Sequence, residues 1–125
     1  MITIEKVMSK PIFMAKEDIT VNEVVKIMIE KKIGSLIIGN DKETIGIITE
    51  RDLVKRVLYK GLDKDKTKAK VIMSHPILKM YKHLTLNEAA LAMSNSHVQH
   101  IVVTDEEGPV GMLSSRDIAY YATTS

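Results

Sequence analysis

The sequence specifies a mixed α/β (α+β) fold, with two small sheets packed about a pseudo-twofold axis and helices outside. Its grounds are a repeat, a periodicity and a size limit. The repeat comes first, because a missed one misreads the whole architecture. Met8-Ser9-Lys10-Pro11-Ile12 returns as Met73-Ser74-His75-Pro76-Ile77, an offset of 65 residues. Thr20-Val21-Asn22-Glu23 returns as Thr85-Leu86-Asn87-Glu88 at the same offset. Gly46-Ile47-Ile48-Thr49-Glu50-Arg51-Asp52 returns as Gly111-Met112-Leu113-Ser114-Ser115-Arg116-Asp117, again without a gap. The chain therefore reads as two tandem copies of one βαββα unit, residues 1–62 and 63–125. One copy has too few elements to cover both faces of its own sheet, so the two are expected to share a single core.

Within each copy the elements follow from spacing. Thr20 and Thr85 open helices with capping boxes: the hydroxyl accepts from the amide three residues on, and Glu23 or Glu88 reaches back. Val21, Val24, Val25, Met28 and Ile29 then fall on one helical stripe, as do Leu86, Ala89, Ala90 and Met93. Buried strands follow at Leu36-Ile37-Ile38 and Ile101-Val102-Val103. Polar turns at 40–43 and 105–108 lead to second strands at 45–48 and 110–113, which predicts two hairpins. The closing helix of the first copy is expected over 50–59, with Leu53, Val54, Val57 and Leu58 as its apolar face and Gly61 ending it. Residues 61–70 form a charged connector, and 122–125 are expected to fray.

Composition narrows the classes. The 125 residues suit one domain, and 45% hydrophobic with 27% charged residues is the balance of a soluble globular protein. No apolar run approaches the ~20 residues of a membrane span, and residues 1–6 do not resemble a signal peptide, so no membrane contact is expected. Without cysteine there is no disulfide and no thiolate metal site, which fits a cytoplasmic location. The net charge of +2 is spread along the chain, which disfavours a dedicated nucleic-acid binder.

The residues that suggest chemistry are Thr49-x-x-Asp52 and Ser114-x-x-Asp117, each where a strand gives way to a helix. Amide groups at a helix start suit phosphate oxygens, and a Thr or Ser hydroxyl there can donate to the same group. A carboxylate one turn on can accept from two ribose hydroxyls. Gly46 and Gly111 would let a ligand approach the strand backbone. The same spacing is also a helix cap that needs no ligand, and the residue types fit both readings. Arg51 and Arg116, just before the aspartates, are either phosphate partners or solvated helix-start residues.

In these motifs the chain resembles the paired CBS domain, or Bateman module, over nearly its whole length. The resemblance rests on the Met-Ser-x-Pro-Ile opening, the Thr-x-x-Glu helix start, the apolar strand with its polar turn, and the duplicated Gly-h-h-Thr/Ser-x-Arg-Asp closing motif, where h is apolar. Ile37 and Val102 stand where the family often carries proline. The resemblance implies a tandem CBS-domain repeat that binds AMP, ADP, ATP or S-adenosylmethionine, with no required cofactor, as a disk-shaped homodimer. It further implies regulation rather than catalysis. With no effector domain in this sequence, the output is expected to pass in trans to a separate effector protein. Carried over residue by residue, Ser114 and Asp117 would face Ile12, Phe13, Gly34 and Ser35, while Thr49 and Asp52 would face Ile77, Leu78, Gln99 and His100. Gly34-Ser35 against Gln99-His100 makes the two clefts unequal.

Two other functions compete. One is a structural or protein-docking module whose sites are vestigial. The other is nucleic-acid binding through Lys55, Arg56, Lys60 and the lysines of 64–70, which interspersed acidic residues oppose. His75, His83, His97 and His100 suggest no metal site, since His97 and His100 would point to opposite faces. The eight methionines read as core or interface filling, and Tyr120-Tyr121 as helix-end packing rather than a base platform. No nucleophile–base pair or P-loop is present.

Overall fold

In the computed structural model, which describes residues 1–40 and 43–124, the chain divides into two units. One is Phe13–Ile77; the other joins Met1–Ile12 to Leu78–Ser125. In chain order the first elements are α1 (Ile4–Val7), β1 (Met14–Ala15), α2 (Val21–Lys31), β2 (Ser35–Gly39), β3 (Thr44–Thr49) and α3 (Glu50–Asp52), which runs into a π-helix, Leu53–Leu58. Then come α4 (Ala69–Ile72), β4 (Lys79–Tyr81), α5 (Leu86–Ser96), β5 (His100–Asp105), β6 (Gly108–Ser114) and α6 (Ser115–Thr124). Asp41 and Lys42 of the expected first turn, and Ser125 of the expected frayed end, lie outside the described residues. The rest of that end, 122–124, is the last turn of α6 rather than a frayed tail.

Each unit holds one three-stranded sheet, ordered β1-β2-β3 or β4-β5-β6, so the mixed α/β fold with two small sheets is the one observed. The first pair in each sheet is parallel and the second antiparallel. A parallel pair needs a crossover, which α2 and α5 supply. The antiparallel pairs are the two expected hairpins, with Leu36 opposite Ile48 and Ile101 opposite Leu113. The opening strands β1 and β4 are too short for periodicity to reveal.

The core of the 13–77 unit is Val21, Val24 and Met28 of α2 with Leu36, Ile38, Ile48, Val57, Ala69, Ile72 and Met73. Ile4, Leu86, Ala89, Met93, Ile101, Val103 and Leu113 make the other. Thr20 forms the full capping box with Glu23. Thr85 completes half of one: its hydroxyl accepts from the Glu88 amide, while Glu88 takes the Thr85 hydroxyl instead of its backbone. Gly61 ends the first closing helix with φ of 68°, as expected of glycine there.

Two expectations need correction. The apolar stripes overrun the core: Ile29 is 73%, Val54 56% and Leu58 76% exposed. The latter pair lie on the π-helix, where the Tyr59 amide bonds five residues back to Val54; the Gly61 and Leu62 amides then close its end on Leu58 and Val57. Val57 is its one buried residue.

The second concerns the glycines. A Cβ on Gly46 would lie 2.7 Å from the Ser74 carbonyl oxygen, and one on Gly111 would lie 2.6 Å from Met8 Sδ. The chain itself, rather than a ligand, approaches these strands. Ser74 and Ile47 exchange amide–carbonyl bonds of 2.8 and 3.0 Å, and Ser9 and Met112 do the same. The Met-Ser opening of each sequence copy therefore completes the sheet of the other copy's hairpin. No helix among the described residues is long and apolar enough to cross a membrane.

Candidate functional site

The closing motif is built the same way twice, from a strand end and the helix that follows. At the end of β3 the Thr49 backbone is extended (φ −113°, ψ 167°), the geometry of a residue just before a helix. Its hydroxyl oxygen accepts from the Asp52 amide at 3.2 Å, and its amide donates to Asp52 Oδ2 at 2.9 Å. At the end of β6 the Ser114 hydroxyl accepts from the Asp117 amide at 3.0 Å, and the Ser114 amide donates to Asp117 Oδ2 at 2.8 Å. Both Thr/Ser-x-x-Asp motifs are thus helix caps in this structure.

Beyond that common frame they differ. Asp52 is only 8% exposed. Its Oδ2 also accepts from the Thr49 hydroxyl at 3.1 Å, and its Oδ1 accepts from the Ser74 hydroxyl at 3.0 Å. Arg56 Nε stands 3.6 Å from Oδ1 as an ion pair, while another guanidinium nitrogen donates to the carbonyls of Ile72 and Met73 at 3.3 and 3.2 Å. Arg56 therefore ties the closing helix to the C-terminal end of α4. Sequence reading missed this role, because Ile72 and Ser74 lie 16 and 22 residues from their partners.

Asp117 is half-buried, and among the described residues its Oδ1 has no partner. Among the same residues the Ser114 hydroxyl hydrogen has no acceptor. Asp117 borders a groove of about 330 Å³ lined by Lys6 and Val7 of α1 and by Arg116, Tyr120, Tyr121 and Thr124 of α6. Lys6 and Arg116 make its rim cationic. Tyr121 packs on the apolar core behind it, while Tyr120 is 71% exposed. This groove holds a carboxylate, two cations and two aromatic rings, whereas Arg51 of the other motif is simply exposed.

The remaining expected residues distribute between the units. Phe13, Gly34, Ser35 and Ile77 belong to the 13–77 unit, and Ile12, Leu78, Gln99 and His100 to the other. Ser35 stands opposite Thr49 in the sheet register, and the Gly34 carbonyl accepts from the Glu50 amide at 3.1 Å. His100 stands opposite Ser114, and the Gln99 carbonyl accepts from the Ser115 amide at 2.9 Å. The Phe13 carbonyl accepts from Ile37 and that of Leu78 from Val102, so each ties its segment to a central strand. Within a unit, then, the residues expected to differ between clefts flank the closing motif directly.

Comparison with known proteins points one way. Residues 4–59 and 69–123 each match the CBS domain family. An uncharacterized protein of Methanopyrus kandleri is 38% identical over 101 residues, covering 79% of this chain and 52% of that protein. The chain spans only 52% to 61% of the length of the first curated relatives it matches. An uncharacterized conserved protein of Pyrococcus horikoshii superposes with a TM-score of 0.87 at 26% identity, over 99% of this chain and 94% of that one. A CBS domain pair crystallised with 5′-methylthioadenosine and S-adenosyl-L-methionine superposes with a TM-score of 0.84 at 26% identity, over 97% and 95%.

Proposed function

The chain belongs to the CBS domain family, as a pair of CBS domains, and from that premise we propose a regulatory module that binds an adenosine-containing ligand and reports its presence to a partner protein. The observation that carries this is the closing motif with its unused groups: the Ser114 hydroxyl and Asp117 Oδ1 stand together beside a groove with a cationic rim. A ribose hydroxyl can donate to the carboxylate, and phosphate oxygens or the carboxylate of S-adenosylmethionine suit Lys6 and Arg116. AMP, ADP, ATP and S-adenosylmethionine are the candidates; the similar CBS pair that holds two adenosine derivatives supports this class. Thr49 and Asp52 form the second candidate position, with Arg51 at its edge. The module acts by binding rather than by catalysis, and we place it in the cytoplasm.

Thermal shift with each of the four ligands tests this. A ligand at about 100 times its dissociation constant adds about 2.7 kcal/mol of stability. The expected outcome is a rise in melting temperature with at least one ligand that Asp117→Ala reduces. If none of the four raises it, the proposal fails.

We also place a second copy of the chain on the face where the 13–77 unit leaves apolar side chains uncovered. Val25, Ile29, Ile33, Leu53 and Val54 line a groove of about 410 Å³ between α2 and the π-helix, with Lys32 and Glu50 at its margin. A twofold pairing can set the Lys32 of one copy against the Glu50 of the other, the self-complementarity an isologous interface requires. Light scattering is expected to give a dimer, and Ile29→Glu a monomer that still binds nucleotide. The docking-module alternative draws on the engaged state of Asp52, and predicts partner binding indifferent to every ligand and to Asp117→Ala.

A further inference from the structure

The two closing motifs share a sequence pattern but differ in what they can offer a ligand. A carboxylate has about four lone-pair positions. Asp52 has the Thr49 amide and hydroxyl on Oδ2, and the Ser74 hydroxyl and Arg56 Nε at Oδ1. The Thr49 hydroxyl spends its hydrogen on Asp52. Neither residue therefore has a group to give without breaking a bond it already makes. Among the described residues Asp117 has one engaged oxygen and one unpartnered, and Ser114 keeps its hydrogen.

The offset of 65 residues explains the difference. It places Tyr121 at the position of Arg56 and Ser9 at that of Ser74. A phenol cannot form the ion pair, and Tyr121 packs instead against the apolar core. Ser9 is bound through its backbone to Met112, and its hydroxyl makes no bond to Asp117.

We infer that Arg56 ranks the two positions: an adenosine-containing ligand fills the Ser114–Asp117 position first, and takes the Thr49–Asp52 position only by displacing Arg56 and Ser74 from the Asp52 carboxylate. This rests on the ligand-binding function proposed above. The ranking has a structural consequence, because the same guanidinium holds the carbonyls of Ile72 and Met73. The second ligand, in taking Asp52, frees Arg56 from the group that orients it and loosens its hold on the end of α4. The first ligand does not touch this link. A low ligand concentration therefore occupies the module silently, and a higher one alters the connector.

Isothermal titration of the full chain with AMP, ATP and S-adenosylmethionine, each alone, tests the ranking. Two unequal steps are expected with the ligand that binds, the tighter one lost in Asp117→Ala. Arg56→Tyr, which copies the residue at the equivalent position, should tighten the weaker step about tenfold, the effect of removing one charged competitor worth about 1.4 kcal/mol. It should leave the tighter step in place. Ser74→Ala, which removes only one hydroxyl, provides the same test without touching the guanidinium, and should shift the weaker step in the same direction. A single step in the wild type that becomes two in Arg56→Tyr also supports the ranking. Two equal steps, loss of only the weaker step in Asp117→Ala, or a weaker step unmoved by both variants overturns it while ligand binding itself stands. Absence of binding by all three ligands overturns both.

Discussion

Asp52 and Asp117 occupy equivalent places and perform the same capping task, yet their removal should differ in cost. Asp52→Ala loses a cap, leaves the Ser74 hydroxyl without its acceptor and leaves Arg56 unpaired beside two carbonyls. These losses together are expected to cost about 2–3 kcal/mol, against about 1 kcal/mol for Asp117→Ala, measured by urea unfolding. Gly46→Ala belongs at the same scale. Its new methyl would meet the Ser74 carbonyl at 2.7 Å and Met73 Sδ at 2.8 Å, so the bridge to β3 must open, at roughly 1–3 kcal/mol. The spacing of Thr49 and Asp52 was legible in sequence because a cap is a local object. Arg56 and Ser74 were not, since what they bond depends on how a distant segment returns to the strand.

Helices and strands were legible to the extent that they bury a regular face. The hairpins follow from paired apolar runs around a polar turn and α2 from its Thr-x-x-Glu start and apolar stripe, and both appear where that pattern puts them. The π-helix was hidden because apolar residues at 53, 54, 57 and 58 fit an ordinary helix equally well. The capping box of α2 makes a test at this scale. Glu23 has its carboxyl held below the ordinary 4.5, first by the Thr20 amide, then by the Thr20 hydroxyl, with smaller help from Lys68 and Lys26. Because the folded value is the lower one, this contribution is complete above the unfolded value and fades as pH falls through the folded one. Stability measured from about pH 6 to about pH 3 should decline less steeply in Glu23→Gln than in the wild type. An equal slope would show that the box adds nothing from its charge.

At the scale of the molecule, the repeat in the sequence and the unit in space are different divisions. The repeat begins at the Met-Ser opening, but Met73 and Ser74 close the sheet of the first hairpin, and Met8 and Ser9 that of the second. The duplication and the fold class were legible from pattern alone; this exchange was not, because the offset shows that two segments are alike without showing which strand each one meets. A fragment of residues 13–77 contains its sheet, both flanking helices and the Met73-Ser74 cover. It is expected to unfold cooperatively by circular dichroism. The sequence copy 1–62 lacks α4 and that cover, and is expected to melt without a cooperative transition.

The discontinuity of the second unit also sets an order of events during synthesis. Residues 13–77 can fold once they have left the ribosome. Ile2, Ile4, Val7 and Met8 cannot, because the strands and helices they cover are not yet made. At about 5–20 residues per second, those apolar side chains stay uncovered on the nascent chain for several seconds while residues 78–124 are translated. Residues 2–8 emerge before the strands and helices they cover, and find their place only after those are made.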